Sequence, residues 1–170
     1  MRFQEGIYNM NEYLELKEQH QKEVNNFPMM FAFSQKQFKE GMQKLGLKET
    51  EIDKIYSLKE GMQKLGLKET EIDKVYSFKG TLGYYKKTDS KKLKDMFEKH
   101  DQEMQEAINN DVIGDNFIFE MFSYELANHE YSYTGDLKQT LNALNLTQKD
   151  INNNKNLVYG LNKAIEYCLS

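Results

Sequence analysis

Apolar residues recur at helical spacing through most of the chain and at strand spacing in only a few short places. Residues 11–24 form an amphipathic stretch that ends before Pro28, because the residue preceding a proline disfavours helical dihedrals. Met29-Met30-Phe31-Ala32-Phe33 is a short apolar run suited to a buried strand. Ser34 followed by Gln37 reads as a capping box that opens the next helix. Val75-Tyr76-Ser77-Phe78 and Leu82-Gly83-Tyr84-Tyr85-Lys86, separated by Lys79-Gly80-Thr81, read as a hairpin. Asp89 or Ser90 caps a helix running to about Asn110, and Gly114-Asp115 breaks it. A further helix spans residues 116–129, with Phe117, Met121, Tyr124 and Leu126 near its apolar side. Leu157, Leu161, Ala164, Ile165 and Cys168 mark the last. The predicted fold is α+β: one mostly helical domain with a small antiparallel hairpin or three-stranded sheet, covering residues 10–170 after an N-terminal extension at 1–9.

The pattern repeats itself. Residues 39–58 read KEGMQKLGLKETEIDKIYSL and residues 59–78 read KEGMQKLGLKETEIDKVYSF, identical at eighteen of twenty positions. Two near-identical copies indicate a recent tandem duplication, since solenoid units drift apart and occur at least three times. Each copy carries a glycine, Gly46 or Gly66, where its helix should end in a left-handed residue. A weaker echo spans residues 137–151, with Asn145 in the glycine's place and Thr147-x-x-Asp150 resembling a capping box. The helix-turn-helix outline of this unit suits a DNA reader only poorly, as its second helix lacks a basic face. Both copies end in a strand-like segment, at residues 55–58 and 75–78, and both cannot pair in one place. One copy must loop out, extend a helix, or exchange with a second molecule to give a homodimer.

Composition narrows the chemistry. The 170 residues are 39% hydrophobic, with ten Phe, eleven Tyr and nine Met, enough for a packed core. A single Cys168 excludes a disulfide framework and fits a reducing compartment, so a cytoplasmic location is expected. That thiol sits on an apolar helix face and reads as packing rather than as a nucleophile. No apolar run approaches the ~18 residues of a membrane span. Arg2 is the only arginine, which removes arginine fingers and bidentate arginine clamps from the menu. Gly80-x-x-Gly83 lacks the Lys-Ser/Thr helix of a phosphate loop.

Charge is segregated along the chain. Residues 95–136 hold eleven acids against Lys99 alone, a net of −10, leaving +6 for the remainder. This stretch is either a solvated helical surface or a face complementary to a basic partner such as a nucleic-acid channel. On the second reading the partner-binding residues are Asp95, Glu98, Asp101, Glu103, Glu106, Glu120, Glu125 and Glu130, with Tyr131 and Tyr133 as aromatic anchors. The lysine-rich hairpin offers a different class of function, nucleic-acid binding through Tyr84, Tyr85, Lys86, Lys87, Lys91 and Lys92. A third class, a metal-binding helical protein, would use His100, Glu125 and His129, although their spacing matches no standard ligand motif. No catalytic motif and no cofactor signature emerges, so turnover is not expected.

Several stretches together resemble a family of small uncharacterised proteins carried by phages, plasmids and conjugative elements of gut bacteria. They are Phe27-Pro28-x-x-Phe31-Ala32-Phe33, Gln37-Phe38-x-x-Gly41-Met42, Asp73-Lys74-x-Tyr76-Ser77, Phe117-Ile118-x-x-Met121-Phe122-x-Tyr124-Glu125-Leu126-x-Asn128-His129-Glu130-Tyr131, and Thr140-Leu141-x-Ala143-Leu144. In that family the helix-to-hairpin unit occurs once and the following turn is richer in glycine, so this chain departs on both counts. The resemblance implies counter-defence: an inhibitor of anti-CRISPR type whose partner is a host defence nuclease or its ribonucleoprotein.

Overall fold

The computed structural model describes residues 11–66 and 83–170. It is a mostly helical α+β structure with one three-stranded antiparallel sheet. Contacts divide the chain into two compact units, residues 1–21 with 103–170, and residues 22–102. Two helices contribute to both units, α1 (Glu12–Asn26) and α4 (Ser90–Asn110).

The unit of residues 22–102 is organised by its sheet. Strands β1 (Met29–Phe31) and β2 (Ile55–Ser57) flank β3 (Gly83–Lys86), so Met29, Tyr85 and Tyr56 form one cross-strand row. Because side chains alternate across a strand, neighbouring rows face opposite sides. Met29, Tyr85 and Tyr56 pack with Phe27, Leu58, Met62, Leu93 and Phe97. Met30, Tyr84 and Ile55 pack on the other side with Phe38, Met42 and Leu45.

The duplication is built into this arrangement. Helix α2 (Gln35–Lys44) belongs to the first copy and supplies Met42 to one face of the sheet. Helix α3 (Leu58–Lys64), whose residues 59–64 open the second copy, supplies Met62 to the other. One sequence, KEGMQK, thus covers both sides of a single sheet, and both methionines are fully buried. Each helix ends on a glycine at φ 72°, Gly46 and Gly66. Caps differ: Ser34 accepts from Gln37 N–H while Gln37 returns a contact to Phe33 N–H, and Ser57 accepts from Glu60 N–H. The strand of the first copy occupies the place beside β3, and Leu58 runs from it directly into α3. The matching segment of the second copy, Val75–Phe78, and the expected turn Lys79-Gly80-Thr81 lie outside the described residues, as does the extension at 1–9.

The other unit is helical. Helix α5 (Phe117–Asn128) buries Phe117, Ile118, Met121, Phe122 and Leu126 against α9 (Lys155–Leu169), with Leu157, Leu161 and Ala164 facing them. Gly160 allows the approach, since a Cβ there would lie 2.5 Å from both the Gly114 carbonyl and Ile118. Between them lie α6 (Tyr131–Thr134), α7 (Lys138–Ala143) and α8 (Gln148–Asn153). The predicted echo of the repeat is present here: Asn145 adopts φ 54°, and Thr147 with Asp150 forms a reciprocal capping box. No helix among the described residues is long and apolar enough to cross a membrane.

The two copies allow a controlled comparison of one substitution in one local sequence. A Cβ on Gly61 would lie 2.5 Å from Tyr85 ring carbons, whereas on Gly41 it would press on the flexible side chain of Met30. Gly61→Ala is expected to destabilise by about 1–3 kcal/mol, because the tyrosine ring cannot yield. Gly41→Ala should cost less than Gly61→Ala, about 1 kcal/mol, since the Met30 sulfur can swing aside and alanine gains helix propensity, while Met30 Cβ at 2.9 Å still requires a small shift. Urea denaturation of the two variants checks the order.

Candidate functional site

The acidic residues divide by unit. Asp95, Glu98 and Asp101 are exposed along the part of α4 in the 22–102 unit, where Glu98 pairs with Lys94 at 3.5 Å. Glu103 and Glu106 follow on the same helix in the other unit. There they line a shallow groove of about 270 Å³ with Glu12, Leu16, Ala107, Asn110 and Phe117. The floor is apolar and the rim acidic, and no lysine, arginine or histidine is among the lining residues.

Local rules set each wall of this groove. Glu12 lies in the first turn of α1, where negative charge complements the helix dipole. The Asn11 side chain caps that helix by accepting from Leu14 N–H at 2.9 Å. Glu120 accepts from Tyr13 N–H at 3.5 Å, which ties α5 to the start of α1. Burial pushes the Glu120 carboxyl above its usual range, helped by the negative charges of Glu12 and Asp111, against the backbone donors at Tyr13 and Glu12. Glu103 is held by His20 at 2.8 Å.

Asp111 fixes the turn into α5. Its carboxylate is buried and accepts from the backbone N–H groups of Gly114 (2.8 Å), Asn116 (3.2 Å) and Ile118 (2.9 Å). Burial acts to raise its pKa, but the backbone donors of Ile118, Gly114, Asn116 and Ile113 together hold it below the usual carboxylate value. Asp111 thereby does the work that sequence logic gives to Asn116, whose side chain makes no capping bond.

Glu125 is corrected. The sequence pattern places it on a partner-binding face, whereas in the fold it is 1% exposed. Tyr13 and Lys17, both on α1, donate to its Oε1, and Thr140 Oγ1 donates to its backbone carbonyl at 3.4 Å. Burial works against the charged form, but the bonds from Lys17 and Tyr13, with the charge of Lys17 and His129, keep its pKa below the usual value. Burial and the facing carboxylate push the Tyr13 hydroxyl well above its ordinary range, so it stays a donor. The Lys17 ammonium also lies 4.6 Å from the Tyr124 ring centroid. Glu125 is therefore a buried ion-pair member that holds α1 on α5.

The remaining predicted residues scatter. Glu130 is exposed in a left-handed conformation at φ 54°, and Tyr133 is 89% exposed, while Tyr131 packs partly against the core. His129 Nε2 lies 3.4 Å from Glu125 Oε2, so these two metal candidates do meet. His100, in the other unit, is buried and pairs with Glu23 at 2.9 Å. Among the described residues no group of three or more His, Cys, Asp or Glu could hold a metal ion. Tyr85 is also corrected: it is fully buried in the sheet core, so it offers no ring to a nucleic-acid base. Tyr84 packs edge-on against Phe38 at 5.5 Å. Lys86 is half-buried, Lys87 and Lys91 are exposed, and Lys92 pairs with Asp89 at 3.0 Å.

Charge follows the division into units. Residues 22–102 carry seventeen lysines against thirteen acids, whereas residues 1–21 with 103–170 carry six basic residues against fourteen acids. The net charges are +4 and −8. The helical unit thus joins strong negative charge with a shallow groove lined by three glutamates, Leu16, Ala107, Asn110 and Phe117.

The chain belongs to a family of unknown function, DUF7659, whose model matches residues 12–63 and 57–167. The two matched segments overlap across the junction between the tandem copies, which lies between residues 58 and 59. No curated protein and no solved structure matches.

Two substitutions separate the roles assigned to buried carboxylates. Lys17→Met, which leaves Glu125 buried without its cation, should cost about 2 kcal/mol, below the ~3–5 of a fully buried pair because the lysine is 43% exposed. Asp111→Ala should cost about 1–2 kcal/mol through lost capping of α5. Asp111 and Glu125 both have folded pKa values below their unfolded ones. Their stabilisation is therefore fully present above the unfolded pKa and lost as pH falls through the folded value. Thermal melting between about pH 7 and pH 3 should show a steep acid loss, shallower in Asp111→Ala.

Proposed function

We propose that this protein is a non-catalytic inhibitor that acts by binding a basic protein surface through the groove of Glu12, Glu103 and Glu106. The observation that carries this reading is the groove itself, three glutamates around Leu16, Ala107 and Phe117 with no basic residue in its lining. An apolar floor with an acidic rim suits long cationic side chains, whose aliphatic stems bury while their charged heads meet carboxylates. The negative charge of the whole helical unit would steer such a partner and raise its association rate.

The resemblance to proteins of phages, plasmids and conjugative elements narrows the partner to a host defence nuclease, and the role to counter-defence of anti-CRISPR type in the cytoplasm. The mechanism is occlusion: the acidic unit occupies the positively charged channel in which the nuclease holds its substrate.

The test is a DNA-cleavage assay with type II RNA-guided nucleases, with and without the protein, paired with size-exclusion chromatography of each mixture. Inhibition with co-elution is expected, and Glu12→Lys with Glu106→Lys should weaken it at least tenfold, about 1.4 kcal/mol. Absence of both inhibition and co-elution across several such nucleases would overturn the counter-defence assignment. Inhibition unaffected by the double substitution would overturn the groove as its site.

A further inference from the structure

The 22–102 unit carries a cluster that none of the preceding sites uses. Tyr56 lies on β2, half-buried, with its ring tilted against Tyr85 at 6.3 Å. Two ammonium groups lie over this one ring: Lys64 Nζ is 5.0 Å from its centroid and Lys87 Nζ 4.6 Å. One arrives from the last turn of α3, the other from the residue that follows β3. An aromatic face attracts a single cation, but two cations on one ring also repel each other. An anion shared between them removes that repulsion. Among the described residues Glu60 reaches Lys64 at 3.7 Å as an exposed i,i+4 pair, a weak contact that a stronger anion can displace.

We propose that Lys64 and Lys87 form a clamp, seated on Tyr56, for a phosphate of a nucleic-acid backbone. Three features favour a polymer over a free anion. Lys91, four residues beyond Lys87, is exposed and carries charge beyond a single phosphate. The unit as a whole carries a net +4. Lysines supply point charges without a bidentate fork, which suits backbone contact rather than base readout. Tyr56, not Tyr85, is then the aromatic residue of the site, and it orients the ammonium groups while leaving bases unread.

Fluorescence anisotropy with a labelled oligothymidylate of about 10–15 nucleotides tests this on the full chain. Binding is expected at about 50 mM salt and should weaken steeply by about 200 mM. Lys64→Gln with Lys87→Gln should bind at least fivefold more weakly, with the slope of log affinity against log salt shallower by about 0.7. Lys138→Gln with Lys149→Gln, in the other unit, should leave binding within twofold of the parent. Lys87→Gln alone keeps α3 untouched and should retain part of the loss. No binding at about 50 mM salt, or equal losses in the two double variants, would overturn the proposal. So would the case in which inorganic phosphate perturbs the Tyr56 ring resonances while the oligonucleotide fails to bind, since the ligand would then be the free anion. Failure of nuclease inhibition bears on the acidic groove alone and leaves this result standing.

Discussion

The pleat of β3 is the constraint on which the 22–102 unit depends. Tyr84 and Tyr85 are adjacent, so they must face opposite sides of the sheet, and each side then needs its own cover. A three-stranded sheet with strands of three or four residues has little stability until both faces are packed. The duplication meets this need with a single motif used twice. Met42 closes one face and Met62 the other, and a glycine one residue earlier brings each helix close to its partner side chain. Methionine suits the task, since its unbranched side chain fills two differently shaped gaps equally well.

What local chemistry determines was legible in the sequence. The caps at Ser34 and Thr147, the left-handed turns at Gly46, Gly66 and Asn145, and the strands at Met29 and Gly83 follow from rules that span a few residues. The errors came where the deciding partner is distant. Glu125 looks like a surface acid because nothing near it in sequence announces Lys17 and Tyr13, which reach it from 108 and 112 residues away. Tyr85 looks like half of an exposed pair because the sequence does not reveal that both faces of a short sheet are covered. Glu12 was missed for a similar reason: as a first-turn acid it is explained by the helix dipole, and only the approach of α4 and α5 makes it part of a groove.

Opposite charge is partitioned between two compact units, and the helices α1 and α4 each contribute to both. Along α4 the sequence passes from Lys91, Lys92 and Lys94 to Glu103 and Glu106, so one continuous helix links a basic unit to an acidic one. By charge alone the acidic unit repels polyanions and the basic unit attracts them. It also explains why a small overall charge of −4 describes neither unit.

The tandem repeat has a consequence at the level of heredity. A coding segment carried twice in succession is a substrate for in-frame recombination, which removes or adds twenty residues at one stroke. Among the described residues the first copy alone supplies a helix for one face and the strand beside β3, so contraction would spare those pairings and strip the cover that α3 gives to Tyr85. A lineage bearing this gene can therefore toggle the dressing of one sheet face without altering a single codon elsewhere.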